Sequence, residues 1–181
     1  TPINIFSASK AVTAMIVHKL DERGVLRLDD WVCEYIPAFA KHGKHRISIR
    51  HVLAHRAGIP NLPQEGLDLD LLGDPDRIVE MLCDARLQSR PGRLLAYHAV
   101  SGGFVLAEVM KRASGRDIRE LLRAEISGPL GARWLGYGVA PDELDQVAQN
   151  AFTGPPVPPP LAQLLRRALG AGMPEVVRLS N

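Results

Sequence analysis

The sequence predicts a mostly helical chain, on three observations. Apolar residues recur at three- and four-residue spacing in one segment after another, Ser, Asp, Gly and Pro stand where helix caps and stops belong, and stretches that alternate like strands are few. With 181 residues, 46% of them hydrophobic, the chain can bury one core and is short for two, so 1–181 reads as a single domain.

The first helix is expected over 7–23: Ala11, Val12, Ala14, Met15 and Leu20 fall at helical spacing, Ser7 stands at its head and Gly24 at its C-terminal cap. Asp29-Asp30 reads as the cap of a short apolar helix from Trp31 to Ile36 that Pro37 stops. The basic run Lys41-His42-Gly43-Lys44-His45-Arg46 has no flanking aromatic platform and reads as a solvated loop. Ser48 caps a helix from Ile49 to His55, closed by Gly58 and Pro60. Residues 61–73, rich in Pro, Gly, Asp and Leu, read as an irregular excursion. Asp74-Pro75 opens the next helix, to about Ala85, in the cap-then-proline pattern. After a turn at Arg90-Pro91-Gly92-Arg93, an apolar helix runs from Ser101 to Ala113 and ends at Gly115; Asp117 caps another through Ile126. A stiff proline-rich loop over 154–160 leads into an amphipathic helix over 161–169. Two short strands, 94–97 and 134–139, complete the reading.

Twenty-two basic against 20 acidic residues give a net charge of +2, far from the concentrated positive charge that a nucleic-acid partner needs. The best candidate for a membrane span, Ala99 to Met110, falls short of the ~20 apolar residues required and carries Glu108. Cys33 and Cys83 are too few for a disulfide framework and leave the redox compartment, like the localisation, open. The chain starts on Thr1-Pro2 without a signal-peptide pattern and is expected to begin in mid-protein.

Chemistry is suggested first by Phe6-Ser7-Ala8-Ser9-Lys10. A serine is a poor nucleophile until a base takes its proton and donors stabilise the oxyanion that forms on the substrate. At a helix head, Ser7 would sit in the positive end of the helix dipole, with Lys10 on the same face one turn on, able to hold charge and orient protons. The spacing alone is weak evidence, because a capping serine followed by a surface lysine explains it equally well. Two further stretches follow in order: Ile47-Ser48-Ile49-Arg50-His51-Val52-Leu53-Ala54-His55-Arg56-Ala57-Gly58-Ile59-Pro60 and Pro91-Gly92-Arg93-Leu94-Leu95-Ala96-Tyr97-His98-Ala99. Together the three resemble the serine β-lactamase-like family, which includes class C β-lactamases, DD-peptidases and esterases of the same fold, over about residues 1 to 140.

The resemblance implies an α+β fold of which this chain supplies mainly the helical part and little of the antiparallel sheet. No strands precede Ser7, and neither the Lys-Thr-Gly nor the His-x-Gly motif of the family's closing strand is found, so the domain is expected to be incomplete at both ends. In that family the serine is acylated, the lysine assists proton transfer and the tyrosine of Tyr-x-Asn acts with it as general base. Carried over, these are Ser7, Lys10 and Tyr97. A phenol serves as a base at neutral pH only beside a cation, which Lys10 is expected to supply. Ala99 stands where the motif has Asn. That amide helps to bind the amide of penicillin-type or peptide substrates, and alanine offers neither donor nor acceptor. The resemblance therefore points to the esterase or lipase branch: a serine hydrolase acting on small-molecule carboxylic esters. A β-lactamase or DD-peptidase is the alternative among enzymes; a catalytically silent fragment or binding module of the same fold is the alternative outside them.

His51 and His55, four apart, have the spacing of a shared zinc site, but Val52 stands where His-Glu-x-x-His has its Glu and no third ligand is obvious. Neither a metal nor a cofactor is expected. Gly102-Gly103 lacks a full phosphate-loop fingerprint and reads as close packing behind Tyr97. Helices that normally cover a sheet would expose an apolar face here, so self-association is expected.

Overall fold

The computed structural model describes residues 1–59, 61–62, 69–151, 153–155 and 157–169. Among them, α1 (Ser9–Glu22), α2 (Val32–Tyr35), α3 (Ile49–Leu53), α4 (Pro75–Asp84), α5 (Ser101–Ser114), α6 (Ile118–Leu122) and α7 (Pro159–Leu169) are joined by loops and 3₁₀ turns, and α6 runs on into a π-helical turn, Arg123–Ser127. The arrangement turns on α5. Its residues Val105, Leu106, Val109 and Met110 form a continuous apolar stripe at i, i+1, i+4 and i+5, and all four are buried. Around that stripe pack α1, α2, α3, α4 and α6. They contribute Ile16, Val17, Val32, Ile49, Val52, Ile78, Leu82, Leu121 and Leu122 to one apolar cluster. Each such side chain withdrawn from water is worth ~1.5–3 kcal/mol before conformational entropy is subtracted.

The helix boundaries follow local chemistry. Asp74 Oδ1 accepts the Arg77 N–H at 3.0 Å and Pro75 fills the first position of α4. Asp117 Oδ1 accepts the N–H groups of Arg119 and Glu120, while Glu120 Oε2 takes the Asp117 N–H, closing a capping box on α6. Gly115, at φ +72°, ends α5 in the left-handed conformation that glycine adopts without steric cost.

Several expectations are corrected. Ser7 is not a helix cap: α1 starts at Ser9, and Ser7 lies in a 3₁₀ turn over Phe6–Ala8. Asp30 does not cap α2 either; Trp31 holds that position, and Asp30 Oδ2 accepts the Arg27 N–H and the Tyr35 hydroxyl. The third helix stops at Leu53, two residues early, and His55 is left-handed at φ +57°. No strand forms over 94–97 or 134–139, and the described residues hold no sheet, only one antiparallel bridge between Trp31 and Ser48. Neither stretch meets a partner strand to complete a ladder, and Gly138 at φ +86° turns the second away from extended geometry. The basic run 41–46 is exposed at Lys41, His42, Gly43, His45 and Arg46, as a solvated loop would be, but it belongs to a kinked 3₁₀ segment, Pro37–Arg46, in which Lys44 is wholly buried. Its ammonium donates to the carbonyls of Cys83 at 2.8 Å and of Ala85, capping the C-terminus of α4.

Pro60, residues 63–68 of the expected excursion, and Pro156 of the proline-rich loop lie outside the described residues. Cys33 and Cys83 are both free thiols. No described helix is long and apolar enough to cross a membrane.

Candidate active site

Asn4 Oδ1 accepts the Phe6 N–H at 2.7 Å, Phe6 takes a left-handed φ of +46°, and Ser9 Oγ donates back to the Phe6 carbonyl at 2.7 Å. A phenylalanine pays for that backbone region with strain, of the order of 1 kcal/mol or more, and such strain persists where the surroundings over-determine it. The resulting tight turn lifts the Ser7 side chain onto the surface, just ahead of α1. From the first turn of α1, Lys10 Nζ donates to Ser7 Oγ at 3.3 Å. The Tyr97 hydroxyl donates to the same oxygen at 2.7 Å, and Lys10 Nζ stands 5.2 Å from the centroid of the Tyr97 ring. The three residues expected from the sequence thus meet at one oxygen. Their cluster is open: Ser7 is exposed and Tyr97 is 39% exposed.

Tyr97 is carried on an irregular loop that the segment after α3 holds in place. The carbonyls of His55 and Arg56 accept the N–H groups of Ala96 at 2.9 Å and Gly92 at 2.8 Å, and the Gly58 carbonyl accepts that of Gln88 at 2.9 Å. Gly58 must be glycine here, because at φ +80° a Cβ would come within 2.2 Å of the Ser89 carbonyl oxygen. His51 Nδ1 accepts the Ser48 N–H while Ser48 Oγ accepts that of His51, both at 3.2 Å, closing a capping box on α3. His55 Nδ1 accepts the His98 N–H at 3.1 Å. The two histidines at i, i+4 spacing, for which no metal is expected, each accept a different backbone N–H at one ring nitrogen.

His98 was not singled out by sequence reasoning, yet it is fully buried behind Tyr97, stacked at 5.5 Å on His55. Burial, with the neighbouring His55 as a lesser cause and the Ala96 carbonyl opposing, pushes its pKa down to about 4. Neither of its ring nitrogens has a hydrogen-bond partner among the described residues. The glycine expectation divides at this point. A Cβ on Gly102 would stand 3.3 Å from the His98 Cβ, so that glycine is close packing, whereas Gly103 has open space in front of it.

Beside the cluster runs a groove of about 620 Å³, lined among others by Lys10, Thr13, Val79, Ala99, Phe104 and Tyr137. Tyr137 was missed as well, and only its fold neighbours reveal it. Its hydroxyl lies 2.6 Å from Thr13 Oγ1 on α1, and its carbonyl accepts from Arg119 Nε at 2.7 Å. Ala99, which stands where the Tyr-x-Asn motif has its amide, lines this wall.

The family model described as Beta-lactamase matches residues 1–174. The esterase/beta-lactamase LipL of Mycobacterium tuberculosis is 37% identical over 141 residues, which cover 76% of this chain and 31% of LipL. Among solved structures, a family VIII carboxylesterase superposes with a TM-score of 0.78 at 31% identity, over 82% of this chain and 41% of that one. A penicillin-binding protein homologue from Caulobacter crescentus gives a TM-score of 0.75 at 30% identity, over 82% of this chain and 40% of that one. The chain thus spans less than half the length of the relatives it matches.

Proposed function

The chain belongs to the beta-lactamase family and carries the helical part of its fold, and on that premise we propose that it bears the nucleophile of a serine hydrolase cleaving carboxylic esters. The observation that supports this reading is the convergence of Lys10 Nζ and the Tyr97 hydroxyl on Ser7 Oγ. In the proposed reaction Tyr97, beside the Lys10 ammonium, takes the Ser7 proton as Oγ bonds to the ester carbonyl carbon. The tetrahedral adduct collapses, the C–O bond to the alcohol breaks, and the alcohol leaves with that proton. Water then attacks the acyl-enzyme by the same route and releases the acid. Proton transfer by such a positioned pair is worth ~10²–10⁴-fold in rate.

Ester rather than β-lactam substrates follow from Ala99, which presents a methyl group where an amide would hold a substrate's amide. A second reading, β-lactamase or DD-peptidase, draws on the double name of LipL and on the penicillin-binding neighbour. A fluorophosphonate probe read by intact mass tests the nucleophile. One adduct on the wild-type chain and none on Ser7→Ala is the expected result; no adduct on the wild type, or an adduct that persists in Ser7→Ala, refutes it and leaves the silent-fragment reading.

A further inference from the structure

His55 meets Tyr97 and both of its chain neighbours, Ala96 and His98. Its carbonyl accepts the N–H of Ala96, the residue before Tyr97, at 2.9 Å. Its Nδ1 accepts the N–H of His98, the residue after Tyr97, at 3.1 Å. Its ring lies against the Tyr97 ring, centroids 4.8 Å apart and planes tilted by 58°. One residue therefore brackets the tyrosine on both sides along the backbone and supports its ring from beneath. The left-handed φ of +57° at His55 is the C′ position of a Schellman motif that ends α3, with the Arg56 N–H on the His51 carbonyl at 2.7 Å and the His55 N–H on that of Val52 at 3.1 Å, and this helix end leaves the His55 carbonyl and imidazole to the same loop.

We infer that His55 is a positioning residue for Tyr97: it fixes the height and direction of the phenol over Ser7 through the two flanking amide bonds. The inference rests on the reading of Tyr97 as the proton-transfer partner of Ser7. The Arg56 and Gly58 carbonyls pin the same loop farther back, at Gly92 and Gln88, but the bonds that flank Tyr97 directly are those of His55, and misplacement of the hydroxyl by a few tenths of an ångström is costly to proton transfer. The clamp is also intrinsically sensitive to protonation. Only the neutral imidazole with hydrogen on Nε2 can accept at Nδ1; the imidazolium donates at both nitrogens and would repel the His98 N–H. The groups that face or flank His55 are Lys10 from α1, Tyr97 and His98 from the loop, and His51 and Arg56 on its own segment. Burial first, then the Lys10 charge, keeps its pKa below the ordinary histidine value, which keeps the acceptor form at neutral pH.

The test compares wild type, His55→Leu and His55→Asn, whose side-chain oxygen can occupy the place of Nδ1. Hydrogen exchange of the Ala96 and His98 amides and the rate of fluorophosphonate labelling of Ser7 are followed from pH 5 to 8. In His55→Leu, His98 protection and labelling should each fall by about tenfold or more, and in His55→Asn both should return to within about threefold of wild type. The wild type should lose His98 protection and labelling together as the His55 ring protonates, and His55→Asn should lose that acid limb. Labelling of His55→Leu at the wild-type rate, or His55→Asn as poor as His55→Leu, overturns the inference. If His55→Leu does not fold, the acid limb decides: its persistence in His55→Asn overturns the inference. Wild-type protein that is never labelled refutes the hydrolase reading instead, and the His98 exchange data then still decide the clamp.

Discussion

The Tyr97 hydroxyl donates to Ser7 Oγ at 2.7 Å although 90 residues separate the two in sequence. Lys10 reaches the same oxygen from within one turn of chain. The serine–lysine pair is thus nearly local, while the tyrosine arrives because α4 and α5 set the ends of its loop and the segment after α3 pins it.

If Lys10 and Tyr97 work as one proton-transfer unit, removing either disables both. Lys10→Ala and Tyr97→Phe should each lower turnover of a nitrophenyl ester by about 10²–10⁴-fold, and the double variant should be less than about tenfold worse than the poorer single. Steady-state kinetics of the four proteins measures this, and multiplicative losses in the double would show two independent roles.

The wall at Ala99 bears on substrate choice. Hydrolysis of nitrophenyl butyrate should exceed that of a chromogenic cephalosporin in kcat/KM by at least about a hundredfold, the scale of one or two missing polar contacts at ~1.4 kcal/mol per decade. Ala99→Asn should narrow the gap from the cephalosporin side, since the new amide projects into the groove that holds Ala99. A wild-type preference for the cephalosporin would sink the ester assignment.

How far the sequence could be read depended on whether a signal was local. Caps at Ser48, Asp74 and Asp117 and the stop at Gly115 are decided within four residues, and each was legible. The candidate triad was legible through motif resemblance, not through any spacing that brings residue 97 to residue 7. The helix start at Ser7 was misread by two residues, because the Asn4 side chain and the left-handed Phe6 close a separate turn ahead of α1. Tyr137 and His98 carried no periodic signal; each matters through a neighbour distant in sequence or through burial.

His98 makes the fold pH-sensitive with a definite sign. Its pKa falls from 6.5 when free to about 4 in the folded chain, so the unfolded state binds the extra proton first. Its contribution to stability is fully present above pH ~6.5 and is lost progressively as pH falls toward 4, by at most roughly 3 kcal/mol at ~1.4 kcal/mol per pKa unit. Urea midpoints at pH 7.5 and 4.5 should therefore differ more in wild type than in His98→Leu, whose side chain does not titrate. Equal losses in the two proteins would mean that other groups set the acid response.

The sharpest energetic contrast lies inside one basic run, where Lys41 and Lys44 look alike in sequence. Lys41 Nζ meets Asp84 Oδ1 at 2.6 Å, but both side chains are more than half exposed, so water competes for each charge and the pair is worth ~0–1 kcal/mol. Lys44 is sealed from solvent, lies 5.5 Å from the centroid of the Phe39 ring, and holds the carbonyls of Cys83 and Ala85 at the end of α4. Replacing it with methionine keeps the apolar stem and strands both carbonyls without donors in a buried place, a loss of ~1–3 kcal/mol. Lys44→Met should accordingly lower the urea midpoint at pH 7 clearly, while Lys41→Met leaves it within about 1 kcal/mol of wild type at unchanged denaturant slope. Equal effects of the two substitutions would mean that water reaches the end of α4 and that the buried ammonium is not what closes it.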